Sequence, residues 1–317
     1  MAELHDKALD VLAQVQKVIL GKEKEITEVF MAMLAGGHVL LEDVPGVGKT
    51  TLALSFARAM NLDFKRVQFT PDLMASDLTG FSLYRKEEER FVYQEGSLFC
   101  QILLADEINR ALPKTQSALL EAMEERNVTV DGTTRLLPEP FLVIATQNPA
   151  DSSGTAPLPE SQMDRFIISE SLGYPEFENE LELAMQTTRK SRIDVVQPQP
   201  CLDASEFLQM QQEVEQVFMQ EDVGRYLVKL ITETRKNPYL ETGAGPRATI
   251  AMVRMAKASA WMKGRDYVRP LDVAEQFPYV LKHRIRIGSA ARLDHKDKDE
   301  ILEDILTEVR SPVRGRN

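Results

Sequence analysis

The stretch Asp43-Val-Pro-Gly-Val-Gly-Lys-Thr-Thr51 constrains this chain more than any other. It follows an apolar run, Val39-Leu40-Leu41, and precedes a helix-forming run at residues 52–59. A strand that passes through a glycine-rich loop into a helix makes a phosphate cradle, because loop N–H groups and the helix N-terminus converge on one anion. In this reading Pro45, Gly46, Val47, Gly48, Lys49, Thr50 and Thr51 form the cradle. Lys49 reaches the β- and γ-phosphates and Thr50 holds Mg2+. Asp43 departs from the pattern, standing where G-x-x-x-x-G-K-[ST] has its first glycine. A carboxylate facing a triphosphate is unfavourable, so Asp43 is expected to point away or to cap the loop through backbone N–H groups.

Around this loop the first half alternates strands and helices. Candidate strands lie at residues 38–41, 66–69, 102–105, 141–145 and 166–169, with helical patterns at 51–60 and 114–125. Several strands are continuous apolar runs, as in a parallel sheet buried on both faces. The alternation predicts an α/β three-layer core. Two insertions read as hairpins, near 79–94 and at 128–136, the second turning on Asp131-Gly132. Past Tyr174-Pro175 amphipathic helical patterns take over, at 203–217, 222–235, 246–262, 270–283 and 296–309, with Asp203 and Asp222 as expected N-caps. The predicted division is a core at 1–175, a linker with the first helix of the second domain at 176–202, a helical domain at 203–309, and a basic, disordered tail at 310–317.

With 43% hydrophobic and 27% charged residues, the composition is that of a soluble globular protein. No segment has the apolar length of a membrane span, and the N-terminus lacks a signal-peptide layout; a cytoplasmic location is expected. Two cysteines make no disulfide framework, and four histidines show no metal spacing. A net charge of −11 argues against a general grip on nucleic acid.

The second chemical motif is Ile102-Leu-Leu-Ala-Asp106-Glu107. A buried strand that ends in two carboxylates delivers them to the edge where open α/β sheets bind ligands. Asp106 then holds Mg2+, commonly through water, and Glu107 polarises a water for in-line attack on a γ-phosphate.

These residues, taken in order, resemble an AAA+ ATPase of the MoxR family, of the helix-2-insert type. Val18-Ile-Leu-Gly21 resembles the adenine-contacting segment, which implies Val18, Ile19 and Gly21 as nucleotide contacts. Gln68-Phe-Thr-Pro-Asp-Leu73 and Asp77-Leu-Thr-Gly80 resemble the lead into the insert. Ala105-Asp-Glu-Ile-Asn-Arg-Ala111 resembles the Walker B region, Ala145-Thr-Gln-Asn-Pro149 the sensor-1 strand, and Leu158-Pro-Glu-Ser-Gln-Met-Asp-Arg-Phe166 the arginine-finger segment. Gly243-Ala-Gly-Pro-Arg247 resembles sensor 2.

The resemblance implies an AAA+ αβα core with a parallel five-stranded sheet and a C-terminal all-helical lid. It implies catalytic roles for Glu107, Asn148, Arg165 and Arg247. Asn148 orients water or contacts the γ-phosphate. Arg165 reaches a neighbouring subunit's γ-phosphate, with Arg110 as a rival. Arg247 reports nucleotide state in cis or in trans. A polar residue at Gln68 restrains the catalytic glutamate in relatives, whereas the sequence alone reads a strand-end surface glutamine.

The implied activity is Mg2+-dependent ATP hydrolysis by a homo-oligomer, a hexamer, that remodels or matures a client protein, often one with a von Willebrand factor type A domain. The alternatives are the ATPase subunit of a magnesium-chelatase-like complex, a nucleotide-gated scaffold with little turnover, and a nucleic-acid motor.

Overall fold

The computed structural model describes residues 2–44, 46–148, 158–185 and 192–312. Pro45 and Pro149 of the motifs, part of the 176–202 linker and residues 313–317 of the tail lie outside the described residues. Two helices, α1 (Ala2–Gln16) and α2 (Glu23–Leu34), precede β1 (Val39–Glu42). The chain continues through α3 (Lys49–Ala59), β2 (Phe64–Gln68), α4 (Ala75–Thr79), β3 (Phe81–Arg85), β4 (Arg90–Gln94), β5 (Ile102–Asp106) and α5 (Pro113–Glu125). Then come β6 (Asn127–Val130), β7 (Thr133–Leu136), β8 (Leu142–Gln147), α6 (Glu160–Met163) and β9 (Ile168–Glu170). The second half holds α7 (Phe177–Met185), α8 (Arg192–Val196), α9 (Ala204–Gln216), α10 (Glu221–Thr234), β10 (Leu240–Thr242), α11 (Pro246–Met262), α12 (Pro270–Leu281), β11 (Arg286–Ile287), α13 (Ser289–Leu293) and α14 (Lys298–Glu308).

The five strands form one parallel sheet in the order β2-β5-β8-β1-β9. Its central members are buried on both faces, which is why they read as unbroken apolar runs. Because all five run the same way, the ends of β1, β5 and β8 open onto one edge. β3 pairs with β4 and β6 with β7 as antiparallel hairpins. Asp131 and Gly132 both have left-handed φ, the geometry a two-residue turn needs.

One apolar cluster covers one side of the sheet and runs without a break into the helical half. Phe30 of α2 stacks on Phe56 of α3, 5.9 Å between centroids, and tilts against Phe207 of α9 at 6.3 Å. The two N-terminal helices therefore bind the sheet to the second half. That half is not all helical as expected: β10 and β11 make a short antiparallel ribbon. Its partners lie more than forty residues apart and are too short to show a period. Asp203 caps α9, its carboxylate accepting from the Glu206 N–H at 3.0 Å. Asp222 is not a cap; α10 begins at Glu221, with Gln220, two residues before Asp222, in the capping position.

Two buried carboxyls give this packing a pH signature. Glu28 of α2 accepts from Gln276 of α12 at 3.3 Å, and burial pushes its pKa up to about 7; burial does the same to Glu170 at the end of β9. Unfolded, both ionise near 4.5. The folded chain therefore holds extra protons between these values, and the stability they contribute falls as pH rises through that window and levels off above it. Glu28→Gln is expected to lose less stability than the wild type between pH 5 and pH 8, by up to about 3 kcal/mol in urea melts. An equal loss contradicts this.

Candidate active site

The loop after β1 carries Gly46 and Gly48 at φ values of +93° and +97°. Only glycine takes these readily, and they turn the chain into α3, whose N-cap is Gly48. The Lys49 ammonium is buried and donates to the backbone carbonyls of Asp43 at 2.7 Å and Val44 at 3.4 Å. Burial lowers its pKa, opposed by the carboxylates of Asp43, Asp106 and Glu107. Lys49 thus lies within electrostatic reach of both acids at the end of β5. Thr50 and Thr51 follow on the first turn of α3. Ile19 lies against Gly48, Val18 is buried beneath, and Asn179 of α7 packs over Gly21.

Asp43 turns its carboxylate away from the cradle. It accepts from the Ser171 hydroxyl at 2.7 Å and from the N–H groups of Leu172 at 2.6 Å and Gly173 at 3.1 Å. The residue replacing glycine caps a different loop, the one leaving β9, and ties it to the base of the cradle.

At the end of β5 each acid is held. The Asp106 carboxylate accepts from Thr146 at 2.7 Å and from Arg66 at 2.7 Å. Glu107 adopts a left-handed φ of +55°, a conformation that costs a non-glycine residue about 1–2 kcal/mol. Its N–H donates to the Thr146 hydroxyl at 2.8 Å, so one hydroxyl fixes both acids. The Glu107 carboxylate accepts from Asn148 at 2.8 Å on one oxygen, and from Gln68 at 2.8 Å and Arg110 at 2.7 Å on the other. Gln68 is therefore bonded to the acid, not a bare surface residue. Arg110 faces Glu107 of its own chain.

Arg165 and Arg247 lie elsewhere. Ile168 of β9 pairs with Val39, the first residue of β1, so Arg165 sits at the start of the sheet. The cradle sits at the end, a strand length of roughly 13 Å away plus the loops. Arg165 pairs with Glu124 at 3.3 Å, and Arg247 reaches the same carboxylate. Asp164 pairs with Arg284 at 2.7 Å, which leaves Arg165 to Glu124. A cavity of about 360 Å³ brings Arg126, Arg165, Arg247, Arg254 and Arg284 together, with Glu124 and Asp164 as the acids among the described residues.

The structure thus gathers Lys49, Asp106, Glu107 and Asn148 at one edge and Arg165 with Arg247 at the other. Among the described residues no group of three or more His, Cys, Asp or Glu side chains could hold a metal. The donors that fit Mg2+ are the hard oxygens of Thr50 and Asp106, each Asp106 oxygen having a further acceptor site beyond the bond it makes. Sequence reasoning misses Arg66, Thr146 and Glu124. Thr146 leaves a trace, as the polar residue that breaks an apolar run level with Asp106. Arg66 and Glu124 leave none, since their partners are set by tertiary packing.

Residues 38–168 match the family described as "ATPase family associated with various cellular activities (AAA)", and residues 232–305 match an AAA lid domain. The chain is 38% identical to Chaperone MoxR1 of Mycobacterium tuberculosis, over 98% of this chain and 84% of that one. It is 42% identical to the uncharacterized protein YeaC of Bacillus subtilis, over 98% and 97%. The crystal structure of a "putative ATPase" from Cytophaga hutchinsonii superposes with a TM-score of 0.88 at 38% identity, over 98% and 96%.

The brace from Asp43 gives a prediction opposite to the consensus. Asp43→Gly restores the usual loop glycine but strands two N–H groups and a hydroxyl, at a cost of about 2–4 kcal/mol. A thermal melt should show a lower midpoint; an unchanged or higher one contradicts the brace.

Proposed function

Because this chain belongs to the MoxR family of AAA+ ATPases, we propose that it hydrolyses ATP with Mg2+ at sites shared between neighbouring copies in a ring, a hexamer, and that the cycle remodels a client protein. The observation that carries this reading is the separation of Arg165 and Arg247 from the cradle of their own chain.

Each residue has a defined task. Residues 46–51 wrap the phosphates, and Lys49 exchanges its two loop carbonyls for phosphate oxygens. Val18, Ile19 and Gly21 line the adenine side, and Pro45 belongs by sequence to the glycine-rich loop of residues 43–51. Thr50 and Asp106 would hold Mg2+, which neutralises phosphate charge when bound. Glu107 takes the proton of the attacking water, and Asn148 positions that water. With Asn148, Gln68 and Arg110 on its oxygens, Glu107 is engaged; release of Gln68 and Arg110 frees the acceptor positions a water needs. The guanidinium groups of Arg165 and Arg247 meet the charge that develops on the neighbour's phosphoryl oxygens. Arg247 acts in trans because it shares the Arg165 end of the sheet.

Client contact falls to the hairpins. Phe81, Leu83 and Phe91 are exposed on β3 and β4, and the Arg135 guanidinium of β7 stacks 3.7 Å over Tyr93 of β4. The two hairpins are thereby joined into one movable element. The likeness to a protein named a chaperone, over 98% of this chain and 84% of that one, favours remodelling over the chelatase alternative. A client with a von Willebrand factor type A domain is part of the proposal.

Lys49→Ala should abolish ATP binding in calorimetry. Glu107→Gln should keep binding and slow turnover at least about a hundredfold; wild-type turnover in Glu107→Gln contradicts the assigned base. The shared site is tested by mixing Arg165→Ala chains with Lys49→Ala chains, each inactive alone. Random head-to-tail pairing restores roughly a quarter of the interfaces, so activity should return in the mixture. No recovery at any ratio contradicts a trans arginine.

A further inference from the structure

α7 carries its apolar face outward. Phe177, Leu181 and Met185 recur every fourth residue along one side, and Tyr174 extends the row ahead of the helix. All four are exposed, by 76%, 46%, 80% and 73% in that order, and no residue of the helix is buried. Glu176, Glu178 and Glu180 flank this row, while Glu182 pairs with Arg192 of its own chain at 3.2 Å. An amphipathic helix ordinarily turns such a stripe into a core. A contiguous apolar stripe with an acidic rim marks a docking surface.

A groove of about 520 Å³ elsewhere on the molecule has the matching character. It runs between the end of α2, α9 and α11. Leu34, Val214, Ile250 and Val253 give it an apolar floor, and on its rim Arg126, Arg254 and Lys257 outweigh the single acid Glu215 among the described residues. Ile250 is 57% exposed. Arg254 is exposed and makes no ion pair among the described residues.

We infer that the α7 stripe of one copy docks into this groove on the next copy, glutamates against arginines. Position supports it as well as charge. α7 lies at the nucleotide edge, with Asn179 over Gly21. α8, which follows, is tied there through Arg192, bonded to the Lys17 carbonyl at 2.9 and 3.0 Å. The groove adjoins the cavity that holds Arg165 and Arg247, sharing Gly36, Arg126, Ile250 and Arg254 as walls. Docking therefore brings one copy's arginines to its neighbour's cradle. Helix and groove are different surfaces, so the contact is head-to-tail and repeats around a ring. The inference rests on the shared-site reading above and names the contact that puts the two half-sites in register.

The test uses the full chain with Cys201→Ser, since Cys100 is buried. Leu181→Cys chains and Ile250→Cys chains are mixed with Mg2+ and a non-hydrolysable ATP analogue, then treated with a short bismaleimide. Cross-linked dimers should form in the mixture and in neither population alone. Separately, Leu181→Glu should weaken assembly at least tenfold in sedimentation, with its melt unchanged because the site is exposed. If the wild type assembles but the mixture gives no cross-link and Leu181→Glu assembles equally well, the docking is overturned and the shared site stands. If the wild type never assembles with the analogue, the shared-site reading fails and the docking with it.

Discussion

In a parallel sheet every strand ends at the same edge, so the loops after β1, β5 and β8 meet while the segment before β9 lies a strand length away. That direction decides what a single copy can complete. Loop amides, a buried lysine and two carboxylates converge at the edge where open α/β sheets place ligands. Arg165 and Arg247 are held at the opposite edge by Glu124.

Each edge is held by bonds that reach across the sequence. Asp43 fixes the cradle to the loop after β9 across 128 residues, and the Thr146 hydroxyl fixes both acids across about forty. These partners make the cradle rigid. The contacts of Glu107 are of another kind, since Gln68 and Arg110 are exposed side chains that can leave without unfolding anything. A braced loop beside a releasable carboxylate suits the proposed cycle, in which turnover answers to what is bound elsewhere. Arg66 on Asp106 has the same exposed character.

Local rules make much of this legible in the amino-acid order. The glycines and Lys49, the apolar strand ending in Asp106-Glu107, the Asp131-Gly132 turn and the Asp203 cap are all set by neighbours within a few residues. What stays hidden depends on distant partners. Asp43 reads as a defect because Ser171, Leu172 and Gly173 are far along the chain. The Asp222 cap fails because Gln220, an ordinary residue, takes the capping position of α10 earlier than composition suggests. The β10–β11 ribbon has two or three residues per strand, too few to show alternation. The helical periodicity of α7 is readable, but its outward direction is not, because direction is set by what the rest of the chain leaves uncovered.

The central claim is that one copy holds only part of a working site. Its most direct measurement is ATP turnover per chain as the protein is diluted at saturating ATP and Mg2+. The account requires turnover per chain to fall on dilution, in step with loss of assembly measured by sedimentation on the same samples. Turnover per chain that stays constant down to concentrations where only monomer sediments would contradict it.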